Sequence, residues 1–386
     1  MSDNSALFGG DSAAQPTPAR TPAHAAPEQP RWGNPSDALT EILPLEDLQV
    51  PVPLAGTPVP APTRVFDDWQ LSSEFEGYVP AVVELDTLEI RRKTVPAKQG
   101  WRGVAHNVAR VNLAPGKDEL YEMALKDRVQ RMVRTTFPIA VVGVKGGVGK
   151  TVVTEVLGST FSAVRGDRVI AVDLDPDAGN LISRHGRESA LSIADLIADG
   201  CPSRYLDVRA HTSQDKATRL EVLTGPDFAR TPMPLLDKDV DAVMPILDEH
   251  YSLVLMDTGT GLKTNVMTAV LRQTRALVMV SSASIDALEE TQVGLEWLRH
   301  NGYQHLLGTM VLVINNSQRG KSNIDLDKAV TQFARRIGRE RIFVLPFDAH
   351  IFEGRQITLE LLSVKSRRRY LELAAAISEL FPGPLG

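Results

Sequence analysis

From Phe137 onward, short apolar runs alternate with longer stretches in which apolar residues recur every three or four positions. The runs at 139–143, 168–172, 220–223, 253–256, 276–280, 310–314 and 342–345 predict strands, and 151–165, 238–249, 285–300 and 325–337 predict helices. None of the strands alternates polar with apolar positions. Each therefore reads as buried on both faces, which predicts a mostly parallel, doubly wound α/β sheet of seven or eight strands. Ligands of such sheets bind at the carboxyl ends of the strands. Before Phe137 the pattern changes. Residues 117–134 read as a charged amphipathic helix, 78–83 as a short strand, and Gly100-Trp-Arg-Gly103 precedes a further helix. Twelve of the 25 prolines fall in residues 1–63, mixed with Ala, Thr and Ser. Such a segment buries too little apolar surface to offset ordering entropy and is expected to be disordered. Three regions follow: a Pro/Ala-rich tail at 1–75, an extension at 76–134, and an α/β domain at 135–386.

The chemistry gathers at predicted strand ends. After the first strand comes Val144-Lys-Gly-Gly-Val-Gly-Lys-Thr151, then a helix. In such a turn the backbone N–H groups of Gly146, Gly147, Val148, Gly149 and the helix start through Val152 can close around phosphate oxygens. Lys150 would reach the β- and γ-phosphates, and the Thr151 hydroxyl is placed for Mg²⁺. The second strand ends in Val172-Asp-Leu-Asp-Pro-Asp-Ala-Gly-Asn180. Carboxylates two apart on a strand tip point the same way, so Asp173 and Asp175 would both face phosphate and metal. The same run is rich in turn formers, so a plain turn is the alternative. The strand at 253–256 leads to Asp257 and then Thr258-Gly-Thr-Gly261; an apolar strand ending in aspartate suits a magnesium-bound water.

Val144 stands where the general GxxxxGK[ST] pattern has its first glycine, and a second lysine, Lys145, lies five positions before Lys150. This deviant phosphate loop resembles that of the MinD/ParA ATPases, and the resemblance covers roughly residues 130–382. It implies a P-loop NTPase fold binding ATP and Mg²⁺, with Thr151, Asp173 and Asp257 at the metal. It further implies Asp175 orienting the attacking water and an ATP-bound homodimer in which Lys145 of one protomer reaches the phosphates of the other. Asp175 and Asn180 are five apart, as in the MinD branch. Asn315, Pro346 and Asp348 resemble the positions that line the adenine in this family; Asn315 could equally be a turn residue. Gly259 and Gly261 depart from the proline more usual after the Walker B strand. The runs Lys145–Thr151, Arg165–Asp175 and Asp257–Leu262, with the proline-rich leader, resemble actinobacterial MinD-like ATPases linked to type VII secretion. The implied function is a slow ATPase switch regulating or positioning that machine, with a secretion-system component as protein partner, reached through the tail.

Composition narrows this only a little. At 386 residues and 43% hydrophobic, the chain can bury a full core, while a net charge of −6 argues against a protein that is basic all over. Cys201 is alone, so no intramolecular disulfide or paired-cysteine cluster is expected. No apolar stretch is long enough to cross a bilayer and no signal sequence opens the chain. The expectation is a cytoplasmic protein, peripheral to the membrane only through a partner. Its last helix, expected over 367–381, carries Glu372 and Glu379 beside its apolar face, which fits core packing better than a lipid anchor. Lys365 and Arg367–Arg369 at its start oppose the helix dipole. A solvated charge run explains them, and a polyanion or acidic partner is the sharper alternative. Nucleic acid is therefore less favoured as a partner, but a ParA-like partition ATPase remains open. So does a nucleotide-gated scaffold with negligible turnover. A lone Tyr370 disfavours a tyrosine autokinase, and no Asn-Lys-x-Asp motif points to GTP.

Overall fold

The computed structural model describes residues 116–177, 179–200, 202–226, 234–320 and 324–382. The strand expected at 78–83, the helix after Gly103 and the proline-rich tail lie outside them. Eight strands form one sheet in the order β3-β4-β2-β5-β1-β6-β7-β8. They are β1 (Phe137–Val142), β2 (Val169–Leu174), β3 (Ser213–Gln214), β4 (Glu221–Leu223), β5 (Leu253–Thr258), β6 (Ala276–Ser282), β7 (Met310–Asn315) and β8 (Ile342–Leu345). All neighbours are parallel except β3 and β4. The seven expected strands are all present, with no end shifted by more than two residues. No pattern in the sequence marked β3, a two-residue antiparallel edge paired with β4.

The central strands are largely apolar because both faces are covered. Ala140, Val142, Ile170, Val172, Val254, Met256, Leu277 and Met279 face one core. They pack under helices α3 (Asp237–Asp248), α4 (Asn265–Gln273), α5 (Ile285–His300) and α6 (Leu326–Ile337). The alternate residues Ile139, Val141, Val169, Ala171, Leu253, Leu255, Val278 and Val280 face a second core. It lies under α1 (Lys117–Val129), α2 (Lys150–Val164) and α7 (Val364–Ser378). Adjacent residues on a strand point to opposite faces, so each strand serves both layers.

Two helix boundaries differ from the sequence expectation for visible reasons. Helix α1 stops at Val129, short of 134, because the buried Arg165 guanidinium takes the carbonyls of Val129 and Arg131 at 2.7 and 2.9 Å. Helix α7 starts three residues early, where the Ser363 hydroxyl accepts from Ser366 N at 3.1 Å and caps it. Leu125 and Val129 of α1 are buried in the same core as Leu371, Ala374 and Ile377 of α7, while Leu120 and Tyr121 are exposed.

Candidate functional site

Strand β1 sits between β5 and β6, where the chain changes direction across the sheet, and this opens a crevice at the strand carboxyl ends. The loop from Gly143 fills its floor. Gly147 and Gly149 have φ of +74° and +96°, a region that penalises any side chain. A Cβ on Gly149 would also overlap the Asn315 amide, whose Nδ2 donates to the Val148 carbonyl at 2.9 Å. Val148 itself is buried and anchors the loop in the core. Helix α2 then begins at Lys150 with neither a side-chain cap nor an acidic residue in its first turn. Its N–H groups and dipole are left for an anion.

A cavity of about 410 Å³ lies over this loop, lined by Gly147, Gly149, Lys150, Thr151 and Val152 at one end. Burial pulls the Lys150 ammonium below its ordinary pKa, against the opposing pull of Asp257 and Asp175. Asp175 also lines the cavity, accepts from Asp177 N at 3.1 Å, and stands against Gly259, where a Cβ would come within 3.0 Å of its carboxylate. Asp173 and Asp257 face each other in register across β2 and β5, both buried. Burial raises both carboxyl pKa values, with the Asp175 carboxylate adding to the rise at Asp173 and that of Asp173 adding to the rise at Asp257. Leu181 N and Asp175 N donate to Asp173 at 3.1 and 3.3 Å; the Thr154 and Thr151 hydroxyls donate to Asp257, Thr154 at 3.1 Å.

The other end of the cavity is formed by Asn315, Asn316, Ser317, Pro346, Phe347, Asp348, Ile351, Phe352 and Tyr370. Phe347 and Phe352 stand 5.4 Å apart between ring centroids. The Asp348 carboxylate accepts from His350 N and Ser363 N at 3.1 and 2.9 Å, so it shapes the loop around it. Burial works against that carboxylate, but hydrogen bonds from Ser366, Ser363 and His350 hold its pKa below the ordinary value. Thus Gly147, Gly149, Lys150, Thr151, Val152, Asp175, Asn315, Pro346 and Asp348 line one cavity, with Asp173 and Asp257 behind it. Sequence reasoning missed Phe347, Phe352, Tyr370 and Arg184 here; only the Pro-Phe-Asp run gave a signal for one of them. It also missed Gly179, where a Cβ would overlap the Asp173 carboxylate.

Three loop residues do not line the cavity: Lys145, Gly146 and Val148. Lys145 turns to α5, where its ammonium pairs with Asp286 and lies 3.7 Å from Glu290. The pairing holds the Asp286 carboxyl down to about 2 and raises the Lys145 pKa.

Among the described residues no group of three or more His, Cys, Asp and Glu side chains is placed to hold a metal. The oxygen set of Thr151, Asp173 and Asp257 nonetheless fits a hard divalent cation. A divalent cation there would offset two buried carboxylates in register, and Mg²⁺ would keep waters as remaining ligands. The arginine run lies apart from the cavity and is largely engaged. Arg368 pairs with Asp118 at 3.0 Å and stacks 4.8 Å over Tyr121. Arg369 pairs with Glu372 at 2.6 Å and stacks 4.9 Å over Phe343, and Arg367 donates to the Glu360 carbonyl at 3.1 Å. No described helix is long and apolar enough to cross a membrane.

Residues 139–377 match the family model of the CobQ/CobB/MinD/ParA nucleotide binding domain. The ESX-1 secretion-associated protein EspI of Mycobacterium tuberculosis is 42% identical over 287 residues, which are 74% of this chain and 43% of that protein. The chain thus spans less than half the length of the curated relatives it matches. Among solved structures, the cell division ATPase MinD of Pyrococcus furiosus aligns with a TM-score of 0.50 at 23% identity, over 63% of this chain and 99% of that one. A ParA family ATPase from Chlorobium tepidum aligns with a TM-score of 0.52 at 18% identity, over 62% and 98%. At these identities the structural likeness speaks for the fold alone.

Proposed function

The chain belongs to the CobQ/CobB/MinD/ParA nucleotide-binding family, and from that premise we propose that it is an ATP-driven dimerisation switch with slow intrinsic hydrolysis. ATP enters with its phosphates over the start of α2 and its base among Phe347, Phe352 and Tyr370. Lys150 and the loop N–H groups bind the β- and γ-phosphates, and Asp175 orients the attacking water. A Mg²⁺ ion held by Thr151 and the Asp173/Asp257 pair would add positive charge over the same oxygens. The proposed switch acts in the cytoplasm on a type VII secretion system, a reading supported by the identity to EspI.

One observation carries the dimer. Two lysines five residues apart serve different places: Lys150 sits in its own cavity, and Lys145 is held outside it on the acidic start of α5. A cation so placed can complete a site on a second copy once it leaves Asp286. The test is Lys145→Ala. It should keep ATP binding as a monomer but lose ATP-induced dimers and turnover, by on the order of a thousandfold in rate. Light scattering that found equal dimers and equal phosphate release for parent and variant would remove this mechanism. Lys150→Ala, by contrast, should lose ATP binding altogether in calorimetry. The DNA-partition reading has less support, since Arg368 and Arg369 are already paired within the chain. Phosphate release with and without ATP-induced dimers separates the switch from a scaffold that never turns over.

A further inference from the structure

Arg184 lies in the short helix Leu181–His185, just past the loop that carries Asp173, Asp175 and Asn180. Its side chain lines the same cavity as Lys150. Its Nη1 is sealed from solvent and finds no hydrogen-bond partner among the described residues. Neither carboxylate that lines the cavity pairs with it: Asp348 accepts from the backbone of His350 and Ser363, and Asp175 from Asp177 N.

The backbone under Arg184 is fixed from several sides. Ile357 N donates to its carbonyl at 2.7 Å, and the Gln356 amide donates to the next carbonyl, that of His185, at 2.8 Å. The His185 ring is held by Glu155 of α2 and by the Ser213 carbonyl, both at 3.1 Å. A charged donor is therefore held at the cavity wall with its Nη1 amino group unpaired. Leaving such a group unsatisfied is costly, and buried polar groups normally have partners. Guanidinium only donates and keeps its charge, so an anionic oxygen is the acceptor that suits it.

We infer that Arg184 is a nucleotide-binding residue whose guanidinium donates to a phosphate oxygen of the bound nucleotide. It rests on the nucleotide reading of this cavity. The contact also has a route to the metal side. Leu181 N, at the start of the same short helix, donates to Asp173 at 3.1 Å, so phosphate held by Arg184 steadies the segment that orders Asp173.

The test uses the full chain with Arg184→Met, Arg184→Gln and Arg184→Lys. Magnesium-ADP binding is measured by calorimetry, and melting is followed without nucleotide. Both neutral variants should melt at or above the parent temperature, because an unpaired charge is gone, yet bind ADP about tenfold or more weakly. Arg184→Lys should recover part of that loss. Parent-like ADP affinity in Arg184→Met would overturn the inference, and parent-like affinity in Arg184→Gln would overturn the anionic acceptor. Melting well below the parent in both neutral variants would overturn it too, since the side chain would then have a protein partner. A parent that binds no nucleotide, with Lys150→Ala behaving identically, would instead sink the nucleotide reading itself.

Discussion

Gly149 combines a φ of +96° with an Asn315 amide where a Cβ would stand. Gly149→Ala should therefore cost about 1–2 kcal/mol from the backbone alone, more from the overlap, and remove nucleotide binding; urea unfolding and calorimetry would read the two effects. Asp175→Ala should behave oppositely, keeping binding and dimers while phosphate release stops, because only water positioning is lost. Unchanged release would take Asp175 out of the reaction. At this scale the sequence was informative wherever chemistry needs a fixed order of residue types along the chain. Lys145, Lys150, Thr151 and the strand-end aspartates all stood out for that reason. Phe347, Phe352, Tyr370 and Arg184 reach the cavity from separate elements, and nothing in local spacing ties them together. Asn315 stood out, but its bond to the Val148 carbonyl did not, since that contact spans 167 positions.

Helix α2 and the short helix after β2 are joined by one buried pair. His185 Nδ1 meets both Glu155 oxygens, at 3.1 and 3.2 Å, and Ser159 also donates to Glu155. Burial opposes a charged imidazole here, but Glu155, Asp215 and the Ser213 carbonyl outweigh it and raise the His185 pKa above 6.5. The sign follows from proton linkage. A folded pKa above the unfolded one stabilises fully below about 6.5 and loses that contribution as pH rises through the folded value. The melting temperature should fall over that range in the parent. Glu155→Gln should flatten the fall by removing the group that holds the proton; an identical profile in that variant would assign the pH dependence elsewhere. Element ends were harder to read than element existence. The Ser363 cap and the Arg165 stop of α1 depend on contacts, Arg165 reaching back 34 and 36 positions to the carbonyls it takes. Helix α4 was not among the sequence-derived helices, although it fills one core with Val266, Met267 and Val270.

For the molecule as a whole, α1 is part of the core rather than a detachable lead-in. Leu125 and Val129 are buried with α7, and Arg165 ties the end of α1 to the end of α2. Leu125→Ala should lower the unfolding free energy by about 3 kcal/mol within one cooperative transition. A main transition left unmoved, with α1 lost separately, would place the domain start after α1. The doubly wound layering was legible because the seven expected strands are largely apolar and none alternates polar with apolar positions. The two-residue β3 was not, having no pattern of its own. That small strand and β8, the other border of the sheet, have a shared effect. Each is short, two residues in β3 and four in β8; His185 takes the Ser213 carbonyl, Arg339 and Arg369 take the Ile342 and Val344 carbonyls, and Pro346 closes the exit from β8. Short borders interrupted by proline are poor templates for adding strands from another chain. Fibre-like growth by strand addition is discouraged on both flanks.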